Sequence, residues 1–266
     1  MEHRTACRVG EETAAEMSFN RTFSGSSRCK TQNVQRLAEN DEVRSDEHSD
    51  QVLTTGPLRL KLSCAGDDLR SSVETFIASR YQQAFGSVIV VNYPLLISLH
   101  ETSGRIVAAV GLRGANENAL FLEQYLARNV ESVLSTLFRR PIDRRGIVEL
   151  GSLAAVCSGA TLYLIGAVAA YMAKQEFNFA LVTSTDQLRR IFNLFDFELS
   201  SLGPARRDAL RDQSSSWGTY YEHAPEVLVG SVQQCLDSVR RCPAIAANAT
   251  RSRILEDLFD QVRALG

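Results

Sequence analysis

The sequence predicts an α/β fold, a three-layer arrangement around a central mixed sheet, with a disordered N-terminal arm and C-terminal helices. Residues 146–185 read as strand, small-residue loop, apolar helix and second strand, the pattern of a parallel crossover. An apolar hairpin precedes that unit, turning at Glu101-Thr102-Ser103-Gly104. At 266 residues, 44% hydrophobic and 23% charged, the chain is long and apolar enough to bury a full core.

Residues 1–55 are polar and Ser-rich, with almost no aliphatic periodicity. Such a segment buries too little apolar area to offset its ordering entropy, so it is expected to be a disordered arm. Residues 56–232 form the expected folded domain, and residues 233–266 its C-terminal amphipathic helices.

Asp67 is the expected cap of a first helix, with Leu69, Val73, Phe76, Ile77 and Ala84 at the 3.6-residue period up to Gly86. Val88 to His100 reads as a strand made irregular by Asn92-Tyr93-Pro94, and Arg105 to Leu112 as its partner. Phe121 to Phe138 reads as one helix, with Leu122, Leu126, Val130, Val133, Leu134 and Leu137 along one side. The strand Ile147–Ala155 follows, then the loop and helix opening at Ser158-Gly159-Ala160, and the strand ending in Thr183-Ser184-Thr185. Asp186 to Phe195 is a further helix, Val227 to Val232 a last strand, and the tail two short amphipathic helices around Pro243.

Composition narrows the function classes. A formal net charge of −2 advertises no nucleic-acid or anionic-membrane partner. Six scattered cysteines without CxxC or paired-His spacing argue against a zinc site or a disulfide framework, so no metal is expected. They fit a reducing, cytoplasmic setting. The N-terminus lacks the apolar core of a signal peptide. The longest apolar run, Thr161 to Ala173, falls short of the ~20 residues of a spanning helix, so no transmembrane segment is expected.

The order α–β–β–α–β–α–β–α–β is that of the GNAT acyltransferase fold. Four sequence words go further: FLEQYL at Phe121–Leu126, IVELGSLAA at Ile147–Ala155, LVTST at Leu181–Thr185, and WGTYY followed by PEVLVG within Trp217–Gly230. In this order and spacing, the stretch from Asp67 to Val232 resembles the thermostable hemolysin family. That family is similar to GNAT acyltransferases and distantly to acyl-homoserine-lactone synthases, whose corresponding strand also carries a Glu followed by small and aliphatic residues. The resemblance implies an N-acyltransferase using a thioester of coenzyme A or of an acyl carrier protein, a phosphopantetheine cosubstrate rather than a tightly bound cofactor. The matching phosphate loop, Val156 to Ala160, has one glycine and no cation, which leaves backbone N–H groups and Ser158 to meet phosphate.

Candidate residues follow from the chemistry. Glu149, mid-strand, is either the base that takes a proton from an amine or one half of an ion pair holding the sheet. Gly151 shares its face and would let a substrate approach the backbone. Tyr220 and Tyr221 are adjacent, so in an extended segment one faces the site and could protonate a leaving thiolate. Ser158, Gly159, Ala160, Thr183 and Ser184 are the donor-binding candidates, against ordinary helix capping. Glu123, Tyr125, Arg113 and Trp217 are the substrate-binding candidates, Arg113 as a carboxylate anchor. Arg139, Arg140, Arg144 and Arg145 could receive a phosphate, a carrier protein or an RNA backbone, or be solvated. They are the only support for a tRNA-dependent transferase. Cys157 has no His near it in sequence, and His100 and His223 are isolated. The different-class alternative is a non-catalytic membrane-active protein, for which neither a spanning helix nor an amphipathic membrane helix is evident.

Overall fold

The structure, a computed structural model, describes residues 57–265 apart from 117–118 and 212–214. The expected arm, residues 1–55, lies outside the described residues.

Seven strands form one sheet in the order β1-β2-β3-β4-β5-β7-β6. They are β1 (Arg59–Cys64), β2 (Leu95–His100), β3 (Ile106–Gly114), β4 (Ile147–Ala155), β5 (Phe179–Ser184), β6 (Leu199–Pro204) and β7 (Glu226–Ser231). Every neighbouring pair is antiparallel except β4 and β5, which run parallel. The crossover joining those two is α3 (Ser158–Lys174); the other helices are α1 (Arg70–Phe85), α2 (Val130–Leu137), α4 (Asp186–Leu194), α5 (Val232–Arg241), α6 (Pro243–Ala246) and α7 (Ala249–Ala264).

Period-2 alternation sorts the side chains into two cores. Val148 packs with Tyr163, Leu164 and Leu258, and Val182 and Leu228 with Leu236, Leu255 and Phe259, so α3, α5 and α7 cover one face. On the other face Ile147, Leu181 and Val229 meet Leu122, Val130 and Leu134, while Leu96 and Ala109 meet Val73 and Ile77 of α1. These are the three layers expected around a central mixed sheet. Gly166 of α3 admits the C-terminal helices closely, since a Cβ there would meet Leu255 Cδ1 and Val239 Cγ1 at 2.5 and 3.3 Å.

The parallel pairing is short. It runs from Ile147↔Phe179 to Leu150↔Val182 and stops, after which β4 pairs only with β3 and β5 only with β7. The strands therefore part beyond Leu150. At the same place β4 carries a bulge: Gly111 faces Gly151 and Ala109 faces Ala154, so Ser152 and Leu153 oppose Val110 alone, with Ser152 at φ 53.

Several elements differ from the sequence expectation. Helix α1 starts at Arg70 behind Leu69, because the Asp67 carboxylate is used upstream, accepting from Cys64 N at 2.7 Å. The expected strand from Val88 joins the sheet only at Leu95; residues 87–94 lie outside the sheet's strands and touch Ser216 through one bridge at Val88. The single helix expected over Phe121–Phe138 is a 3-10 turn, Phe121–Tyr125, followed by α2. Edge strands β1 and β6 were not foreseen: β1 is half solvent-facing, and β6 contains Gly203 at φ 133 and Pro204. The tail is three helices, not two.

Candidate active site

Glu149 sits in β4 three residues before the bulged Ser152 and is 1% exposed. Its Oε2 accepts from Phe121 N at 2.7 Å, and its Oε1 from Leu122 N at 3.1 Å and Tyr93 Oη at 3.4 Å. The 3-10 turn thus begins on a carboxylate from the sheet, where exposed N–H groups favour negative charge. Burial pushes the Glu149 carboxyl up to about 7, against the pull of the Phe121 N–H, the Arg113 charge, the Leu122 N–H and the Tyr93 hydroxyl.

Arg113 is the cross-strand partner of Glu149 in the β3–β4 register. No ion pair joins them among the described residues: the guanidinium lies 5.2 Å above the Tyr93 ring and donates to Asn92 O. The sheet-holding ion pair considered for Glu149 is therefore replaced by hydrogen bonds to backbone.

Tyr93 was missed as a site residue. Its ring lies against the two facing glycines of β3 and β4: a Cβ on Gly111 would overlap its Cγ, and a Cβ on Gly151 its hydroxyl. The room expected at Gly151 for a substrate is occupied by this tyrosine. The signal in the sequence was the Asn92-Tyr93-Pro94 break together with Gly111 and Gly151, which only the register brings opposite one another.

The aromatic candidates gather above the same face. Trp217 lies 5.9 Å from Phe121, 5.3 Å from Tyr220 and 5.9 Å from Tyr221, ring centre to ring centre. Tyr221 is half-buried, and its hydroxyl is 2.7 Å from that of Tyr125. Residues 220–223 are a 3-10 turn rather than extended, and Tyr220 is a core residue stacked on Tyr81, with Phe85 edge-on and Trp217 tilted against it. The extended segment expected here is thus a turn that places the Tyr220 ring in the core. Burial raises the phenols of both Tyr220 and Tyr221 above their ordinary value, the Tyr125 hydroxyl opposing this at Tyr221.

Glu123 is engaged within the fold. Its Oε2 accepts from Leu120 N at 2.8 Å and its Oε1 from Val130 N at 2.9 Å, and Arg144 spans both oxygens at 2.7 and 2.9 Å. Burial works against its charge, but Arg144 and these N–H groups hold the carboxyl below its ordinary range. Arg144 also reaches Glu131 and Ala115 O, each at 2.5 Å, so it is consumed within the fold. Arg140 lies 5.9 Å from the centre of the Phe179 ring.

Of the donor-binding candidates, Ser158 and Gly159 are half-buried at the start of α3, whereas the Ala160 side chain is in the core, leaving only its backbone. Thr183 is half-buried on the Glu149 face beyond the point of separation; Ser184 is fully buried, its Oγ donating to Thr185 O at 3.3 Å. Thr185 precedes α4 without a side-chain cap.

On the opposite face of the sheet a wholly apolar cavity of about 50 Å³ lies under α3 and α4, lined by Leu150, Leu153, Val182, Met172, Phe192 and Cys235 among others. It borders the place where β4 and β5 part.

The thermostable hemolysin family profile matches residues 64–236. The chain belongs to that family. No curated protein matches it. Among solved structures, the chain is similar to the CoA-dependent acyl-homoserine lactone synthase BjaI, solved with SAM and isopentyl-CoA: 16% identity, 69% of this chain and 88% of that one, TM-score 0.48. It is also similar to the AHL synthase LasI, at 12% identity over 68% of this chain and 95% of that one, TM-score 0.47. A third, FeeM, an N-acyl amino acid synthase from uncultured soil microbes, is 12% identical over 66% and 93%, TM-score 0.43. Among the described residues, no helix of this family member is long and apolar enough to cross a membrane.

Proposed function

We propose that the protein is an N-acyltransferase, taking an acyl group from a thioester of coenzyme A or a carrier protein to an amine. The observation that carries this reading is the buried Glu149 carboxylate standing beside the parting of β4 and β5, with its proton affinity raised to about 7. A base tuned near neutrality is what removal of an ammonium proton needs. In this reading the thioester lies in the gap beyond Leu150, with its carbonyl against the bulged backbone at Ser152 and its phosphates toward the first N–H groups of α3. The acyl chain occupies the apolar cavity, and the acceptor arrives on the Glu149 face. Arg113 has guanidinium donors left over beside Glu149 and suits a carboxylate on the acceptor. Of the four arginines that would serve the tRNA-dependent variant, Arg144 is internally paired.

The test is thiol release from acyl-CoA thioesters of two to twelve carbons and from acyl-loaded carrier protein, against a panel of amino acids and polyamines. Turnover that needs both donor and amine, and that falls by roughly 10²–10⁴ in Glu149→Gln, is the expected result. Leakage of liposomes by the protein, without donor and without any turnover, would instead favour a membrane-active protein.

A further inference from the structure

We propose that Tyr93 relays the proton from the acceptor amine to Glu149, an inference that rests on the acyltransferase reading above. Glu149 alone does not reach the gap. It is 1% exposed, and both carboxylate oxygens are tied to the backbone of the 3-10 turn, so it cannot swing toward an amine without releasing Phe121 N and Leu122 N. Tyr93 provides the only side-chain hydrogen bond to it among the described residues, at 3.4 Å.

The placement of that hydroxyl is specific. It stands over Gly151, one residue before the strained Ser152 and one beyond the last β4–β5 pair, Leu150↔Val182. Two facing glycines are needed for the ring to lie there, because any side chain at Gly111 or Gly151 would occupy its space. The Arg113 guanidinium closes the other side of the ring. The hydroxyl therefore joins the bulge, where the thioester carbonyl would sit, to the buried carboxylate.

The step balances without further reactants. An ammonium N–H of the acceptor passes its proton to Tyr93 Oη while the Tyr93 hydroxyl proton passes to Glu149 Oε1. The freed nitrogen lone pair attacks the thioester carbonyl carbon, forming the C–N bond. The C–S bond breaks, the thiolate leaves with its electron pair, and the second proton that the nitrogen sheds as the amide forms passes to that thiolate, giving a neutral amide and a thiol. Burial, and then the Glu149 charge, keep the Tyr93 phenol well above its ordinary value, so it gives up its proton only as it receives another. The charged and titratable groups facing the pair are Arg113, Tyr81, Tyr125 and Tyr220.

The experiment uses the full chain and the donor and amine panel above, comparing wild type, Tyr93→Phe, Glu149→Gln and the double variant between pH 6 and 10. A relay predicts that Tyr93→Phe lowers kcat by about 10-fold to 10²-fold, at the lower end of general-base effects, with the donor KM unchanged. The deficit should close at high pH, where the amine is already deprotonated, and the double variant should be no slower than Glu149→Gln. Wild-type rates in Tyr93→Phe, a deficit independent of pH, or deficits that multiply would overturn the relay while leaving the transferase intact. Should Tyr93→Phe not fold, the wild-type rate in H2O–D2O mixtures decides: two protons in flight give a curved dependence, and a straight line overturns the relay. Absence of turnover by wild type with every donor and amine overturns the transferase reading, and the relay with it.

Discussion

The backbone N–H of Phe121 donates to Glu149 Oε2 over 2.7 Å, tying the start of a surface turn to the middle of the sheet. The same turn carries Tyr125, whose hydroxyl meets Tyr221, so the charge state of one buried carboxylate bears on how the aromatic cluster is held. A neutral carboxyl would keep one good acceptor for those N–H groups instead of two.

The stability of the protein should carry the mark of this group. Its native proton affinity, about 7, is above the ordinary 4.5, so the native state binds more protons than the unfolded chain between these values. Below about 4.5 both states are protonated and the group is neutral in effect. As pH rises to about 7, the group's contribution falls by about 3 kcal/mol, because only the unfolded chain ionises freely. Melting temperatures of wild type and Glu149→Gln, measured from pH 5 to 8, should therefore shift in favour of the variant as pH rises. A difference constant with pH would show that Glu149 is not desolvated.

Arg144→Leu should destabilise the fold by about 2–3 kcal/mol, since it leaves Glu123 and Glu131 facing each other without their shared cation. Chemical denaturation reads this loss. RNA binding, if any is present, should be unchanged, because the guanidinium is already occupied.

Much of the frame was legible in the sequence. Residues 147–185 declare a parallel crossover through their periodicity, and the Glu101–Gly104 turn declares a hairpin through its turn residues. Glu149 stands out as a carboxylate inside an apolar strand. What stayed hidden depends on pairing across the chain. Gly111 and Gly151 are far apart in sequence and mean nothing until β3 and β4 set them opposite each other with Tyr93 upon them. Glu123 looked available because its partner Arg144 lies 21 residues away, within what reads as a separate basic cluster. Tyr220 and Tyr221 were weighed by strand alternation, but a 3-10 turn turns one into the core and leaves the other half-buried.

That last difference separates the two tyrosines experimentally. Tyr221→Phe should lower kcat by about 10-fold or more if its hydroxyl assists thiolate departure, as expected for loss of a general acid. Tyr220→Phe should leave kcat unchanged, its ring contacts with Tyr81, Phe85 and Trp217 being preserved. Equal losses in both variants would assign the effect to packing of the cluster and not to a proton.

The apolar cavity offers a test of donor length that does not involve the proton path. Its lining has no polar group to reward a water, and a void of about 50 Å³ costs its walls dispersion contacts. Ala169 of α3 points into it, and Ala169→Val places two further carbons there. Filling the space should stabilise the protein by about 1 kcal/mol, in line with the cost of cavities of this size. If the cavity receives the acyl chain, the same change should lower kcat/KM for longer thioesters while sparing acetyl-CoA, because only a chain reaching past Leu153 meets the added methyls. Stabilisation with an unaltered chain-length profile would mean that the cavity is a packing defect and that the acyl chain lies elsewhere along the gap. Loss of activity toward every donor, acetyl included, with a lowered melting temperature would mean that valine overpacks the site and displaces Leu150 and Val182, the pair at which the two strands part.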